Sequence, residues 1–430
     1  MRISYTGGSL NNNNANNANG VVPDCEKSQI QVAKAKAVHL AQGMAVLPRK
    51  SERQAHDAGG LRAGPAICMR MPMKENYYDK AMSYDQMHKA LKRVCRNVRW
   101  KDSVVGFEWN GPANICKLQD EVAGGRYVIS EYQHFKVWEP KERDITATRI
   151  RDRLVQMSFC EAGLLEDITE HFIRDNCACQ PGKGVDFALD RMTAHLRRYY
   201  QKHGSEGWVL KCDIHHYFPE TPHETAKAAM RKRISDPEAL KMVEQVIDSF
   251  EGDKGIGLGS QFAQLIELAV LDDLDHYIKE KLRVKHYIRY MDDFVLIHED
   301  KEFLRRCLAE IRERVEALGL QLNQKTTMYP LRQGVKFLQW RFIVTDTGRI
   351  LRIMPAKKTK RIRKRLKRLV EKEKAGEFPP GTAQQSFESW RANARRGDTK
   401  RIVRNMAVYY SGLKGVCNGI DRNARKAAQG

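Results

Sequence analysis

Two adjacent carboxylates in the middle of the chain are the residues best suited to chemistry. Asp292 and Asp293 close the tetrapeptide Tyr290–Asp293, and strand-forming apolar residues flank it from His286 to His298. Asp is disfavoured in strands and neighbouring carboxylates repel, so folding alone does not favour this arrangement. A tight hairpin that presents both carboxylates to divalent cations such as Mg²⁺ explains it. An exposed β-turn, where Asp is common, explains the pair equally well on its own.

A third carboxylate follows a second apolar run. Trp208–Ile214 is predicted to be a buried strand with Asp213 near its end, where an Asp is costly unless it meets a metal or a partner. Asp213 can therefore supply a ligand from another strand to the site of Asp292. Metal-dependent phosphoryl transfer uses such a set, because three carboxylates can hold two cations near one phosphate. Tyr217 and Phe218 add an aromatic wall close by.

The elements that position these carboxylates are predicted from hydrophobic periodicity. Strands are predicted at Tyr127–Ser130, Phe135–Trp138, Trp208–Ile214, Tyr287–Tyr290, Phe294–His298 and Val335–Ile343. Helices are predicted at Tyr84–Cys95, Gly163–Asp175, Val185–His203 and Phe262–Leu282. Strands and helices interleave, but a hairpin around the carboxylate pair needs antiparallel pairing. The pattern favours an α+β fold over a doubly wound parallel sheet.

The charge of the chain indicates a polyanionic partner. Lys and Arg number 75 against 53 Asp and Glu, a net charge of +22. Binding to nucleic acid is favoured because neutralised phosphates release counterions, although a ribosomal or other basic RNA-binding protein would share this charge. No run approaches the roughly eighteen apolar residues of a membrane helix, and the N-terminus lacks a signal core, so no membrane partner is expected.

The ten cysteines indicate a reducing compartment. Only Cys177 and Cys179 lie close together, as C-x-C, and neither a second pair nor a His follows at zinc-site spacing. We therefore expect reduced thiols in a cytoplasmic protein, and no zinc site.

A basic helix is predicted in the C-terminal quarter. Nine of the twelve residues in Lys357–Arg368 are basic, and Gly376 and Pro379 are expected to end the helix. Four apolar residues fall on one helical face: Ile362, Leu366, Leu369 and Val370. The basic residues form either a solvated surface or a rail along a nucleic-acid backbone, and their density favours the rail.

Over roughly residues 85 to 412 the chain resembles reverse transcriptases. Asp213 matches the first catalytic Asp of the family, and Tyr290–Asp293 matches its second palm motif letter for letter, where viral RNA replicases usually carry Gly-Asp-Asp. The resemblance implies a right-hand polymerase with an antiparallel palm sheet that carries this hairpin. The implied parts are an Asn-rich, poorly ordered leader at 1–79, fingers at 80–205, palm at 206–345, basic thumb at 346–412 and a tail at 413–430.

The resemblance also implies the reaction, which is DNA synthesis on an RNA template from a primer and deoxynucleoside triphosphates. By the family pattern, Asp213 and Asp292 bind two Mg²⁺ ions directly and Asp293 supports them. The backbone carbonyl of Ile214 is implied as a further ligand. Lys325 matches the Lys thought to protonate the leaving pyrophosphate.

Two arginines are implied to contact substrates. Arg143 and Arg153 lie in segments 139–145 and 149–156, which resemble the fingers motifs of bacterial reverse transcriptases. Their guanidinium groups suit phosphate oxygens of the incoming triphosphate or the template. A surface ion pair is the alternative for either, and Asp152 is the obvious partner for Arg153.

Further motifs follow in the order of the family. Cys177–Gly184 resembles a fingers–palm segment and lacks the spacing of a Walker loop. Gly334–Phe342 resembles the primer grip, although a core strand would look the same, and Ser386–Trp390 resembles a thumb segment. Phe218, or else Tyr217, is implied to crowd a ribose 2′-hydroxyl and so to select deoxynucleotides.

The loop Gly255–Phe262 points to a subtype. Most reverse transcriptases have Gln-Gly-x-x-x-Ser-Pro here, whereas Ser260-Gln261 resembles the enzymes of diversity-generating retroelements, which misread template adenines. Ile256 departs from the pattern, because it stands where the family has Gly. Gln261 is the candidate for loosened discrimination at adenine. Such retroelements usually also use a small basic helical accessory protein.

The opening of the chain bears on the same question. Asn11–Asn19 contains seven Asn in nine positions, a composition that cannot fold alone. Two compatible interpretations apply to residues 1–25: a disordered polar tail, and translated template sequence or a fusion with it. The second is implied by the resemblance, because the codons that such retroelements diversify are typically Asn codons, which begin with two adenines. The resemblance implies a bacterial or phage-encoded protein. Within reverse transcriptases, the alternative subtype is a retron, group II intron-like or phage-defence enzyme. A non-catalytic nucleic-acid-binding protein on a polymerase scaffold is the alternative of another class.

Overall fold

The structure is a computed structural model that describes residues 76–138 and 142–415, all within one unit, Ala45–Gly430. The helices are α1 Tyr77–Met82, α2 Tyr84–Cys95, α3 Asp102–Trp109, α4 Gly111–Ala123, α5 Ile150–Phe159, α6 Leu165–Thr169, α7 Val185–His203, α8 Tyr217–Glu220, α9 His223–Arg231, α10 Pro237–Asp248, α11 Gln261–Val270, α12 Asp272–His276, α13 Lys301–Ala317, α14 Ala356–Lys374, α15 Thr382–Ala394 and α16 Lys400–Leu413. The strands are β1 Gln133–Trp138, β2 Glu142–Ala147, β3 Trp208–Asp213, β4 His286–Tyr290, β5 Asp293–His298, β6 Thr327–Pro330, β7 Val335–Phe337, β8 Trp340–Val344 and β9 Ile350–Ile353. The predicted α+β class is confirmed.

Several sequence predictions lie outside the described residues. They concern the Asn-rich segment at 1–25, the leader up to residue 75, residues 139–141 of the first fingers segment and the tail beyond residue 415. In the part of the chain that the structure describes, every helix is too short or too polar to cross a membrane. The seven described cysteines are free: Cys95, Cys116, Cys160, Cys177, Cys179, Cys212 and Cys307.

A four-stranded antiparallel sheet forms the centre, in the order β4-β5-β3-β6. Both of its faces are buried, which explains why β3 and β5 are almost continuously apolar. Leu210 and Leu296 are cross-strand partners in one hydrophobic cluster, whereas Val209 and Ile297 are partners in another on the opposite face. By strand alternation Asp213 lies on the same face as Val209.

Four predicted elements differ from the observed ones. The predicted strand Tyr127–Ser130 is irregular, because the Asp152 carboxylate binds its polar groups in place of a partner strand, accepting from Tyr127 Oη at 2.9 Å and Ser130 N at 3.2 Å. The helix predicted over Gly163–Asp175 ends at Thr169. The chain then turns, and an isolated parallel bridge joins Asn176 to β4.

The remaining corrections concern breaks inside predicted elements. The helix predicted over Phe262–Leu282 is interrupted at Leu271 and closes in a π-helical turn, Tyr277–Lys281. The strand predicted over Val335–Ile343 is a hairpin of β7 and β8, because Leu338 and Gln339 have φ of 46° and 66°. Two successive left-handed residues reverse the chain, and without Gly or Asn they give little signal in the sequence.

The C-terminal helices α14, α15 and α16 share a separate hydrophobic cluster. The predicted basic helix is confirmed as α14, and its four predicted apolar residues are all buried: Ile362, Leu366, Leu369 and Val370. The basic residues of α14 are consequently displayed on its outer surface.

Candidate active site

The carboxylate pair lies at a two-residue turn between β4 and β5. Tyr290 ends β4 and Asp293 begins β5, and the two are partners across the hairpin. Met291 and Asp292 form the turn, and Met291 has a φ of 58°. A left-handed backbone costs a residue with a side chain about 1 kcal/mol. Other contacts must therefore hold the turn in this shape.

The guanidinium of Arg289 holds the turn from inside the protein. Its side chain is fully buried and pairs with Asp275, with Nε 2.8 Å from Oδ1 and Nη2 2.6 Å from Oδ2. Nη1 donates to the carbonyl oxygen of Met291 at 3.1 Å, and Nη2 donates to that of Leu268 at 3.0 Å. Burial disfavours the charged form, but the Asp275 carboxylate outweighs it and raises the pKa of Arg289. The turn is thereby tied to α11 and α12.

The three predicted carboxylates lie at the neighbouring ends of β3 and β5. Asp213 is the cross-strand partner of Asp293, and Asp292 immediately precedes that partner. Burial, and then the negative charges of Asp213 and Asp293, raise the pKa of Asp292 to about 6. Burial also raises the pKa of Asp293, although the Lys211 ammonium partly offsets it. This crowded negative charge would be relieved by a bound cation.

Lys211 belongs to this site and was missed in the sequence. Its Nζ donates to Asp293 Oδ2 at 2.8 Å and to the carbonyl oxygen of Lys336 at 3.2 Å. Lys211 lies two residues before Asp213, so both side chains project from the same face of β3. The sequence feature that could have predicted this role is a Lys inside an apolar strand, two residues before an Asp. Lys211 joins the carboxylates to the β7–β8 hairpin.

The site fits Mg²⁺ bound together with a substrate. Asp293 Oδ1 is buried and has no hydrogen-bond partner in the described residues. This oxygen can therefore still accept a hydrogen bond or bind a cation. Within those residues no three His, Cys, Asp or Glu side chains are grouped so as to hold a metal ion by themselves. Mg²⁺ is commonly bound by one or two carboxylates plus substrate phosphates and waters, and this carboxylate set meets that requirement.

The predicted residues Ile214 and Lys325 are adjacent to the end of β3. Ile214 forms an isolated bridge with Leu322, in which the N–H of Asn323 donates to the carbonyl oxygen of Asp213 at 2.7 Å. The side chain of Asn323 then accepts from the N–H of Lys325 at 3.0 Å. This turn places Lys325, which is exposed, in the loop next to the carboxylates.

The two predicted arginines have different surroundings. Arg143 is exposed on β2, and its positive charge lowers the pKa of Asp292, so it acts electrostatically on that carboxylate. Arg153 on α5 is half-buried, and burial lowers its pKa. Arg153 does not form the alternative ion pair with Asp152. The Asp152 carboxylate is fully buried, and its ion-pair partner is Arg151, whose Nε lies 3.7 Å from it. Arg153 has no acidic partner within 4.0 Å among the described residues.

The aromatic neighbours of Asp213 are distinguished by burial. Tyr217 is buried, and its hydroxyl donates to the carbonyl oxygen of Glu267 at 2.5 Å, which makes it a core residue. Phe218 is half-buried on the short helix α8. Of the two residues predicted to contact a ribose, Phe218 is therefore the one that retains an accessible ring.

The loop that leads to Ser260 and Gln261 packs against β2. Ser260 caps α11 by accepting from Ala263 N at 3.0 Å, and Gln261 is the first helical residue. Gly259 has a φ of 153°, and a Cβ there would stand 2.8 Å from the carbonyl oxygen of Thr146. Thr146 N in turn donates to the carbonyl oxygen at residue 258 at 3.0 Å. Gly259 therefore permits close packing against the strand that carries Arg143.

The Cys177–Gly184 segment supports β4 from behind. Cys177 N donates to the carbonyl oxygen of Arg289 at 3.0 Å, and Lys183 Nζ donates to that of Asn176 at 2.9 Å. Lys183 is thus engaged within its own loop, and burial lowers its pKa. Lys183 thus has a structural role, in agreement with the absence of the Walker-loop spacing from this segment.

Comparison with known proteins finds a family match in the central part of the chain. Residues 143–342 match the family described as "Reverse transcriptase (RNA-dependent DNA polymerase)". Protein YkfC of Escherichia coli (strain K12) is 26% identical over 273 residues, which cover 53% of this chain and 70% of that protein. Residues 143–342, which make up just under half of the chain, are therefore similar to reverse transcriptases. The antiparallel central sheet with the carboxylate pair at its hairpin agrees with the fold expected from the sequence.

Solved telomerases show a more distant likeness. The telomerase of Candida albicans in complex with a fragment of telomeric RNA has 10% identity and a TM-score of 0.42, with coverage of 68% of this chain. The apo telomerase of Candida tropicalis has 11% identity, a TM-score of 0.42 and coverage of 56% of this chain. The chain spans 58% of the first telomerase chain and 52% of the second. A likeness this low carries no argument about function.

The Arg289–Asp275 pair yields a stability prediction. Arg289→Met should lower the free energy of unfolding by about 3–5 kcal/mol, because it leaves the Asp275 carboxylate buried without a partner. The double variant Arg289→Met with Asp275→Leu should recover most of that loss. Urea unfolding measures both, with Arg197→Met on the exposed surface of α7 as the control. A loss below about 1 kcal/mol for the single variant would contradict the assignment.

The raised pKa of Asp292 predicts a pH-dependent stability. Between the ordinary value of 3.8 and about 6, the folded protein holds a proton that the unfolded chain releases, so stability falls as pH rises through this window. Without metal, Asp292→Asn should be more stable than the wild type by about 1–3 kcal/mol at pH 7, and the difference should disappear near pH 3.5. Thermal unfolding in EDTA across this range is the measurement, and a pH-independent difference would refute the charge repulsion.

Proposed function

We propose that the chain synthesises cDNA on an RNA template by two-metal nucleotidyl transfer, as the polymerase of a diversity-generating retroelement. The observation that carries the reaction is the placement of Asp213, Asp292 and Asp293 at adjacent strand ends, within the segment that matches the reverse transcriptase family. Partners in this reaction are the template RNA, the primer with its growing cDNA, and deoxynucleoside triphosphates. We place the enzyme in the cytoplasm of a bacterial cell.

The carboxylates act as the metal-binding groups of this proposal. Asp213 and Asp292 would hold Mg²⁺, with Asp293 in support and the Ile214 carbonyl as an added oxygen ligand. When bound, two Mg²⁺ ions lower the pKa of a primer 3′-hydroxyl and neutralise the departing pyrophosphate. Lys211 keeps Asp293 oriented through its 2.8 Å hydrogen bond. The turn at Met291 fixes where the Asp292 carboxylate meets the substrate.

The substrate contacts follow from charge and exposure. Arg143 lies on β2, acts electrostatically on Asp292 and is suited to bind the triphosphate. The half-buried Arg153 is suited to a phosphate of the triphosphate or template. Lys325 donates a proton to the leaving pyrophosphate from the loop beside Asp213. Phe218 lies in place to exclude a ribose 2′-hydroxyl.

The proposed division of the polymerase keeps fingers at 80–205, palm at 206–345 and thumb at 346–412. The division is supported by the separate hydrophobic cluster of α14–α16 and by the central sheet between residues 208 and 330. Exposed Lys and Arg residues of α14 would follow the backbone of the template–primer duplex.

The retroelement subtype rests on Ser260 and Gln261 at the start of α11. These residues stand where most relatives have Ser-Pro, and a small basic accessory protein would be a further partner. A retron, group II intron-like or phage-defence enzyme is the alternative within reverse transcriptases. A non-catalytic nucleic-acid-binding scaffold is disfavoured by the presence of all three carboxylates.

The reaction is tested by one substitution. Asp292→Asn should abolish primer extension on RNA with Mg²⁺, because the amide cannot replace an anionic ligand, while RNA binding remains within about twofold of the wild type. Asp120→Asn, on the exposed surface of α4, is the matched control and should keep full extension. Extension by Asp292→Asn comparable to the control would overturn the metal assignment.

The subtype is tested by restoring the proline that most relatives carry. Gln261 occupies the first position of α11, where proline is tolerated because its missing N–H has no helical partner. Gln261→Pro should therefore fold normally and lower misincorporation opposite template adenine, with errors at guanine, cytosine and uracil unchanged. Sequencing of the cDNA gives all four rates in one reaction. A wild-type enzyme with no excess of errors at adenine would favour the alternative subtypes.

A further inference from the structure

Glu267 is a buried carboxyl group that the proposed reaction leaves without a role. It lies in α11, its side chain is fully buried, and its Oε1 has no hydrogen-bond partner among the described residues. Burial raises the pKa of Glu267 well above its ordinary value. A carboxyl group in such surroundings is costly compared with an apolar residue of similar size. The hydrogen bonds of Glu267 therefore indicate its role in the structure.

Those contacts converge on the short helix α8, which carries Phe218. Thr221 follows α8 directly, and its hydroxyl donates to Glu267 Oε2 at 3.0 Å. The same hydroxyl lies 2.8 Å from the carbonyl oxygen of Tyr217, the first residue of α8. The Tyr217 hydroxyl donates to the backbone carbonyl of Glu267 at 2.5 Å. Glu267 is thus connected to both ends of α8.

The opposite side of α8 is held by the loop that leads to Ser260. Ile256 N donates to the carbonyl oxygen of Phe218 at 2.8 Å, and Gly255 N donates to that of Thr221 at 2.8 Å. Helix α8 is therefore held between α11 and this loop, and both sides restrain the movement of its backbone. Ile256, the departure from the family pattern, supplies one of these bonds.

We propose that Glu267 is a positioning residue that fixes α8 through Thr221 and so sets how strongly Phe218 excludes ribonucleotides. The proposal rests on the proposed polymerase activity and adds a determinant of its sugar selectivity. A bulky side chain discriminates against one extra hydroxyl only if its backbone cannot yield when the wrong sugar enters. The hydrogen bond between Thr221 and Glu267 supplies that resistance from the protein interior.

The test compares deoxynucleotide and ribonucleotide incorporation in variants of this hydrogen bond. Glu267→Leu removes the acceptor and Thr221→Val removes the donor, each with little change in volume. Each should lower the ratio of kcat/KM for deoxynucleotide over ribonucleotide by about fivefold, the effect expected from one hydrogen bond. Glu267→Gln keeps an acceptor oxygen and should retain the wild-type ratio. Primer extension on one RNA template, with single nucleotides, measures all of these ratios.

Two further variants separate positioning from a general structural effect. Thr169→Val removes an equivalent bond, from a hydroxyl to the carbonyl four residues earlier, at the end of α6. It should leave the ratio unchanged even if stability falls. The double variant Glu267→Leu with Thr221→Val should lower the ratio no further than Thr221→Val alone, because both remove the same bond.

The outcomes distinguish this inference from the function on which it rests. Unchanged ratios in Glu267→Leu and Thr221→Val, with deoxynucleotide extension retained, would overturn the role of Glu267. Equal losses with both nucleotides would also overturn it. If Glu267→Leu fails to fold, Thr221→Val decides the question. Absence of any extension by the wild-type protein would instead overturn the proposed polymerase activity.

Discussion

The buried ion pair between Arg289 and Asp275 is the interaction on which the site depends. One guanidinium neutralises a buried carboxylate and donates to the carbonyl of Met291, where the chain adopts a left-handed turn. A second donation reaches Leu268 in α11, the helix that also contains Glu267. Because a buried charge is costly without its partner, this pair gives the hairpin a single position relative to α11 and α12. The placement of the Asp292 and Asp293 carboxylates follows from that position.

The carboxylates themselves are held against their own repulsion. Asp213 and Asp293 are cross-strand neighbours, and only Lys211 among the described cations lies within ion-pair distance of either. The raised pKa of Asp292 records this conflict between burial and like charge. Such frustration is common at functional sites, where binding of the reactive ligand relieves it. Here a divalent cation that arrives with a triphosphate would do so.

The sequence predicted those parts of the site whose signal is local. The hairpin, the strand that ends in Asp213 and the helix Val185–His203 follow from periodicity and from residues that do not suit their surroundings. Residues such as Asp275 and Glu267 were not predicted, because their partners come from distant segments and a buried acid looks like a surface acid in the sequence. Likewise, only burial could separate the roles of Tyr217 and Phe218.

The central claim is that these carboxylates bind the metals of nucleotidyl transfer, and a crystal structure can test it directly. The protein would be crystallised with an RNA template, a DNA primer, a non-hydrolysable deoxynucleoside triphosphate and Mn²⁺, whose anomalous scattering locates each ion. The account predicts two anomalous peaks about 3.5–4 Å apart, both in contact with Asp213 and Asp292. Peaks elsewhere, or none beside these carboxylates with the triphosphate bound, would contradict it.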